Sequence, residues 1–135
     1  MNLLVIDAQG GGIGKQVVAA VKKNFPAVRV TAVGTNSAAA TAMLKAGADA
    51  AATGENAVIV GCRKADVIVG PIGIVIADSL YGEITPAMAA AVGQSAAKRI
   101  LIPINHCDNY IVGVPDLAIG RLIDGVVAAL GAQLE

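Results

Sequence analysis

The chain has 135 residues, the length of one domain, and its 56% hydrophobic against 15% charged content excludes a disordered polypeptide. Ten Lys and Arg balance ten Asp and Glu, so the basic footprint of a nucleic-acid binder is absent. Two cysteines, Cys62 and Cys107, make no disulfide framework and fit a reduced, cytoplasmic setting.

In chain order, Leu3-Leu4-Val5-Ile6 is the continuous apolar run that a buried parallel strand requires. Residues 14–24 place Val17, Val18 and Val21 on one helical face and end in Lys22-Lys23 before Pro26. Residues 28–33 read as a second strand and residues 37–46 as a helix ending at Gly47. Ala50-Ala51-Ala52 is a weak third strand, followed by a helix over 55–65. Val67-Ile68-Val69 is the fourth strand, and residues 74–80 have a helical pattern. Thr85-Pro86 is a cap with proline at the first helical position, opening a helix to about residue 97. Ile100-Leu101-Ile102 is a fifth strand and Tyr110-Ile111-Val112 a short sixth. Pro115-Asp116 opens the last helix, with Leu122, Ile123, Val126, Val127 and Leu130 at core spacing.

The longest apolar run, residues 67–77, is interrupted by Gly70-Pro71 and stopped by Asp78, short of the roughly 20 residues of a membrane span. No basic segment precedes the first apolar run, so no signal peptide is expected. Alternating strands and helices predict an α/β fold over residues 1–135. It is a single doubly wound, mostly parallel, Rossmann-like sheet of five or six strands in the order 3-2-1-4-5, with helices on both faces.

Ligands of such sheets bind beyond the carboxyl ends of the strands, which directs attention to five loops. The first, Asp7-Ala8-Gln9-Gly10-Gly11-Gly12-Ile13-Gly14-Lys15, joins strand one to helix one. Its four glycines exceed what a tight turn needs, and they let backbone N–H groups approach a phosphate at a helix start. The dinucleotide pattern matches at Gly10 and Gly12 but meets Lys15 at its third glycine. The P-loop pattern matches Gly14-Lys15 but has Gln16 where the Mg²⁺-binding hydroxyl belongs. The loop after strand two, Gly34-Thr35-Asn36-Ser37, lacks the acid that holds a ribose diol; its small hydroxyl and amide groups suit a 2′-phosphate, and Asn36 or Ser37 reads equally as a helix cap. Thr53-Gly54-Glu55-Asn56 reads as a helix cap, and Gly70-Pro71-Ile72-Gly73 as a turn or a close backbone approach to a ligand.

Asn105-His106-Cys107-Asp108 carries the single histidine. Adjacent residues on an extended segment face opposite ways, so neither His106 nor Cys107 is expected to be a nucleophile or metal ligand. Cys62, inside a helical stretch, is expected in the core. Asp7, Asp78 and Glu83 are the remaining carboxylates near these loops, and no spacing marks a pair of them as an acid–base couple.

With these loops, Gly82-Glu83-Ile84-Thr85-Pro86 and Ile102-Pro103-Ile104-Asn105 in order along nearly the whole chain, the sequence resembles a bacterial family of short proteins classified as a domain of unknown function, found chiefly in anaerobes. Ala8 stands where that family is expected to have glycine. The resemblance implies a Rossmann-like fold and no particular reaction.

The expected ligand is a small molecule of nucleotide type: NADP, NAD or a mononucleotide. Gln9, Gly10, Gly11, Gly12, Ile13, Gly14 and Lys15 would meet its phosphate, with Thr35, Asn36, Gly70, Pro71, Gly73 and Asn105 lining the rest. A binding module is the first reading. A minimal oxidoreductase or transferase active as an oligomer is the second, and a structural subunit of a larger assembly the third. No metal site, nucleic-acid partner or membrane partner is expected. The apolar, charge-poor composition predicts a homo-oligomer, with a dimer first.

Overall fold

A computed structural model describes residues 1–104 and 108–135. The elements alternate: β1 (Asn2–Asp7), α1 (Gly12–Asn24), β2 (Arg29–Gly34), α2 (Ser37–Lys45), β3 (Ala50–Thr53), α3 (Glu55–Lys64) and β4 (Val67–Pro71). A 3-10 turn (Ile72–Val75), α4 (Pro86–Gln94), β5 (Lys98–Ile102) and α5 (Ile119–Leu134) complete them. The five strands form one parallel sheet in the order β3-β2-β1-β4-β5, as expected. Leu3 pairs with Val30 on one side and Val67 on the other, which places β1 at the centre, where both of its faces are buried.

Alternation along β1 divides the core. Leu3 and Val5 pack with Val17, Val21, Met43, Ile123 and Leu130 from α1, α2 and α5. Leu4 and Ile6 pack with Val58, Cys62, Ile74, Met88 and Val92 from α3, the 3-10 turn and α4 on the other face. Cys62 is buried, as its position predicted, and burial pushes its thiol pKa up to about 11. Both side-chain caps are those of the sequence pattern. Asn36 Oδ1 accepts from Ala39 N at 2.9 Å, and Thr85 Oγ1 accepts from Met88 N at 3.1 Å.

Three expectations are corrected. Residues 74–80 are not a helix: a 3-10 turn ends at Val75, and Asp78, Leu80 and Tyr81 adopt positive φ. That path brings Leu80 and Ile84 into the core, and Asp78 N closes the loop by donating to Ile84 O at 2.7 Å. The last helix begins at Ile119, not Pro115. Residues 115–118 are exposed, and the stripe that binds the helix to the core starts only at Ile123. Tyr110-Ile111-Val112 is not a strand; its residues turn towards Gly113 and find no sheet neighbour. Among the described residues, no helix is long and apolar enough to cross a membrane.

Candidate functional site

The carboxyl ends of the strands are tied together before any side chain takes part. Thr35 N donates to Asp7 O at 3.1 Å and Gly54 N to Gly34 O at 3.0 Å, which brings the loops after β1, β2 and β3 to one rim. Beside β1, where the chain's strand order switches direction, a crevice of about 290 Å³ opens. Its floor is Asp7, Ala8 and the Gly10–Gly12–Ile13 backbone; Leu80, Ile104 and Ile119 form an apolar wall and Gln16 a polar edge. A larger groove of about 410 Å³ lies on the sheet face over β2 and β3, between Thr31, Val33, Ala52 and Val60. Its lining is mostly apolar, with Arg29 and Lys64 also on it, and it includes no residue of the glycine-rich loop, so the crevice at the carboxyl ends of the strands is the better candidate.

Asp7 is the one buried charged residue among those described. Its Oδ1 accepts from Ala8 N at 2.8 Å and its Oδ2 from Gly14 N at 2.7 Å, so the carboxylate caps the start of α1 from the strand end. Burial raises its pKa above the ordinary 3.8. The nearby negative charge of Glu83 adds to the rise, while the amides of Gly14, Ala8 and Ile13 oppose it.

Glu83 arrives from the loop after β4. Its Oε1 accepts from Thr35 Oγ1 and Asn36 Nδ2, both at 2.8 Å, and from Gln9 N at 3.3 Å; its Oε2 accepts from Gln9 N at 3.0 Å. Asn36 Nδ2 also donates to Gln9 O at 2.9 Å, holding Gln9 at its φ of 53°. The segment that delivers Glu83 is strained. Asp78, Leu80 and Tyr81 have φ of 66°, 56° and 58°, a left-handed geometry that costs about 1–2 kcal/mol per L-residue. Ser79 Oγ pins it by donating to Gly73 O.

The four loop glycines divide into two kinds. A Cβ on Gly14 would lie 2.5 Å from Met43 Sδ and 2.9 Å from Asp7 Cβ, so glycine is needed for α1 to seat on the strand. Gly11, at φ 73°, would press on the Ala39 backbone at 2.9 Å. Gly10 and Gly12 differ: neither has positive φ, and a Cβ on either would meet nothing within 4 Å. Both line the crevice, and their N–H groups have no acceptor among the described residues.

A family described as a domain of unknown function, DUF3842, matches residues 2–135. The chain belongs to this family. No curated protein matches it. Among solved structures, the chain is similar to the dodecameric FMN-dependent Ubix-like decarboxylase from Escherichia coli O157:H7. The identity is 15%, 97% of this chain and 94% of that chain are covered, and the TM-score is 0.51. At that identity the likeness is one of fold.

In this DUF3842 chain the expected site residues separate. Gln9, Gly10, Gly12 and Ile13 border the crevice. Thr35 and Asn36 do not line it; Glu83 joins them to Gln9, which does. Lys15 is exposed on the α1–α2 surface beside Ser37, Thr41 and Lys45. Gly70 and Pro71 are buried; a Cβ on Gly70 would stand 2.6 Å from Ile6 O, so close packing accounts for that glycine. Gly73 is likewise pressed by Ser79 and Leu80. Asn105, His106 and Cys107 lie outside the described residues. Sequence reasoning noted Asp7 and Glu83 as carboxylates near these loops but gave neither a place in the site. Asp7 had a readable signal, a charged residue closing an apolar strand before a helix start. Glu83 had none, since its partners are 47, 48 and 74 residues away.

Proposed function

We propose that the chain binds a mononucleotide-type ligand in the crevice beside β1, with its phosphate against the Gly10 and Gly12 amides and its ring on Leu80, Ile104 and Ile119. The observation that carries this reading is the pair of glycines that folding does not require. Gly10 and Gly12 have ordinary φ and open space, yet stand bare where a ligand would approach the backbone. A volume of about 290 Å³ is at the small end of ligand pockets and suits one nucleotide better than two. NAD and NADP therefore come second, since a dinucleotide must extend past the β2 side that Glu83 fills. The fold shared with an FMN-dependent enzyme agrees with a mononucleotide and does not by itself require one.

Calorimetry with FMN, AMP, GMP, NAD, NADP and coenzyme A tests the reading. Binding tighter than about 1 mM, or about 4 kcal/mol, is expected for at least one mononucleotide; none below that value overturns it. Gly12→Val should melt close to wild type and bind at least about tenfold more weakly. A binding module accounts for the site as built. Turnover by the loaded protein would move an oxidoreductase or transferase reading ahead of it. Self-association is proposed on the exposed apolar residues of the segment before α5, Tyr110, Val112, Val114 and Leu117. Light scattering that gives a clean 13.4 kDa monomer overturns it.

A further inference from the structure

The loop after β2 carries no acid of its own, yet a carboxylate stands there. Glu83 lies at the carboxyl ends of β1 and β2 and takes the Thr35 hydroxyl, the Asn36 amide and the Gln9 backbone N–H. These are three donors from two separate loops, converging on one side chain as they would on a bound anion. Among the described residues the one ion pair is Lys22 with Asp49, and none of their cations pairs with Glu83. The second carboxylate of the rim, Asp7, is close enough for the two charges to interact. Glu83 Oε1 is crowded by three donors, whereas Oε2 accepts from Gln9 N and keeps acceptor capacity to spare. Glu83 is a partly exposed residue that stands behind Gln9, which borders the crevice.

We infer that Glu83 is a specificity-determining residue: its carboxylate occupies the anion seat at the carboxyl ends of β1 and β2, so a ligand in the crevice offers sugar hydroxyls, and not a second phosphate, to that side. The inference rests on the nucleotide reading above and specifies it. A hydroxyl gains an acceptor at Oε2. A phosphate brings more negative charge to a place that already has an uncompensated carboxylate and whose donors are spoken for. The strained 78–82 segment keeps Glu83 at this seat from a distant part of the chain, so the exclusion is built into the fold and does not depend on which base or ring the ligand carries.

The test compares wild type, Glu83→Ala and Glu83→Gln with inorganic pyrophosphate, reading the Gln9, Thr35 and Asn36 amides by NMR titration. In wild type the Thr35 and Asn36 amides should show no saturable shift, even where pyrophosphate binds at Gly10 and Gly12 and moves Gln9. Glu83→Ala empties the seat and should bind pyrophosphate at least about tenfold more tightly, with a smaller gain in Glu83→Gln, which keeps the shape and loses the charge. If Glu83→Ala fails to fold by circular dichroism, Glu83→Gln carries the comparison. Equal pyrophosphate binding by wild type and the folded variants overturns the inference. A second arm titrates AMP against adenosine 2′,5′-bisphosphate. Wild type should prefer AMP by about tenfold or more, and Glu83→Gln should narrow that gap. A bisphosphate that binds wild type as tightly as AMP also overturns the inference. Failure of AMP and the other nucleotides to bind any of the three proteins removes the nucleotide reading instead, while the pyrophosphate comparison still decides the anion seat.

Discussion

At the amino end of the sheet, Asp49 accepts from Val30 N at 2.8 Å and from Lys22 Nζ at 2.9 Å, and Asp66 accepts from Asn2 N at 2.8 Å. At the carboxyl end, Asp7 and Glu83 accept from backbone amides, a hydroxyl and a side-chain amide, and neither has an ion-pair partner among the described residues. One acid at each end is shifted, and the two directions are opposite. Hydrogen bonding from Val30 and then Lys22 lowers the Asp49 pKa, while burial raises that of Asp7. Among the described residues, the four non-glycine residues of positive φ, Gln9, Asp78, Leu80 and Tyr81, also belong to loops at the carboxyl end. One end is arranged for stability. The other keeps strain and unneutralised charge around a crevice, the distribution expected when a fold's local inconsistencies gather at its site.

Substitutions can break or sharpen this contrast. The largest effect is expected from Gly34→Ala, because the added Cβ would lie 2.5 Å from Ala40 N and 2.7 Å from Asn36 O, backbone atoms that cannot step aside. A loss of about 3 kcal/mol in urea unfolding should follow. Gly10→Ala at the same rim should change stability by less than about 0.5 kcal/mol, since its Cβ meets open space.

Next comes Asp7. Asp7→Ala leaves the Ala8 and Gly14 N–H groups without their acceptor and should lose about 1–3 kcal/mol. Asp7→Asn isolates the charge. Because the folded pKa is raised, the native state holds a proton that the unfolded chain has released. Wild-type stability should therefore fall as pH rises from about 3.8 through the folded value, and level off above it. Asp7→Asn should lack that fall; the same slope in both proteins would remove Asp7 as its source.

A smaller effect of opposite sign is expected at Tyr81, which is 95% exposed at φ 58°. Tyr81→Gly relieves strain without losing packing and should stabilise by up to about 1 kcal/mol, measured by thermal melting. The smallest belongs to the amino end. Asp49→Asn should cost less than about 1 kcal/mol at neutral pH, as its ion pair with Lys22 is solvent-accessible. Its contribution is present above the unfolded pKa and disappears as pH falls through the lowered folded value. Wild type and Asp49→Asn should therefore converge in acid, and the Asp49 contribution rises with pH where that of Asp7 falls.

The strand order, the parallel sheet and the Asn36 and Thr85 caps were legible because each follows from local signals: apolar runs, periodic faces and a polar residue before a helix start. The end of β4 was harder. Ile74, Leu80 and Ile84 are apolar at helix-compatible spacing, and only the fold reveals that left-handed residues turn the chain between them. Pro115 is a sound helix opener in isolation, but α5 waits for a stripe that can reach the core. At the site, glycine count alone could not separate Gly11 and Gly14, which serve packing, from Gly10 and Gly12, which face open space. Glu83 was illegible because no local pattern encodes a bond to Gln9 across 74 residues.

Burial of Cys62 has a practical consequence for chemistry elsewhere in the chain. With its pKa pushed up to about 11, only about one Cys62 thiol in ten thousand is ionised at pH 7, and the side chain is 4% exposed. Alkylation at neutral pH is then, in effect, a reading of Cys107 alone, one of only two cysteines in the sequence. The unmodified protein thus carries its own single-site label. The rate at which iodoacetamide consumes that label between pH 5 and 9 measures whether the Cys107 thiol is an ordinary one, with no cysteine needing to be removed first.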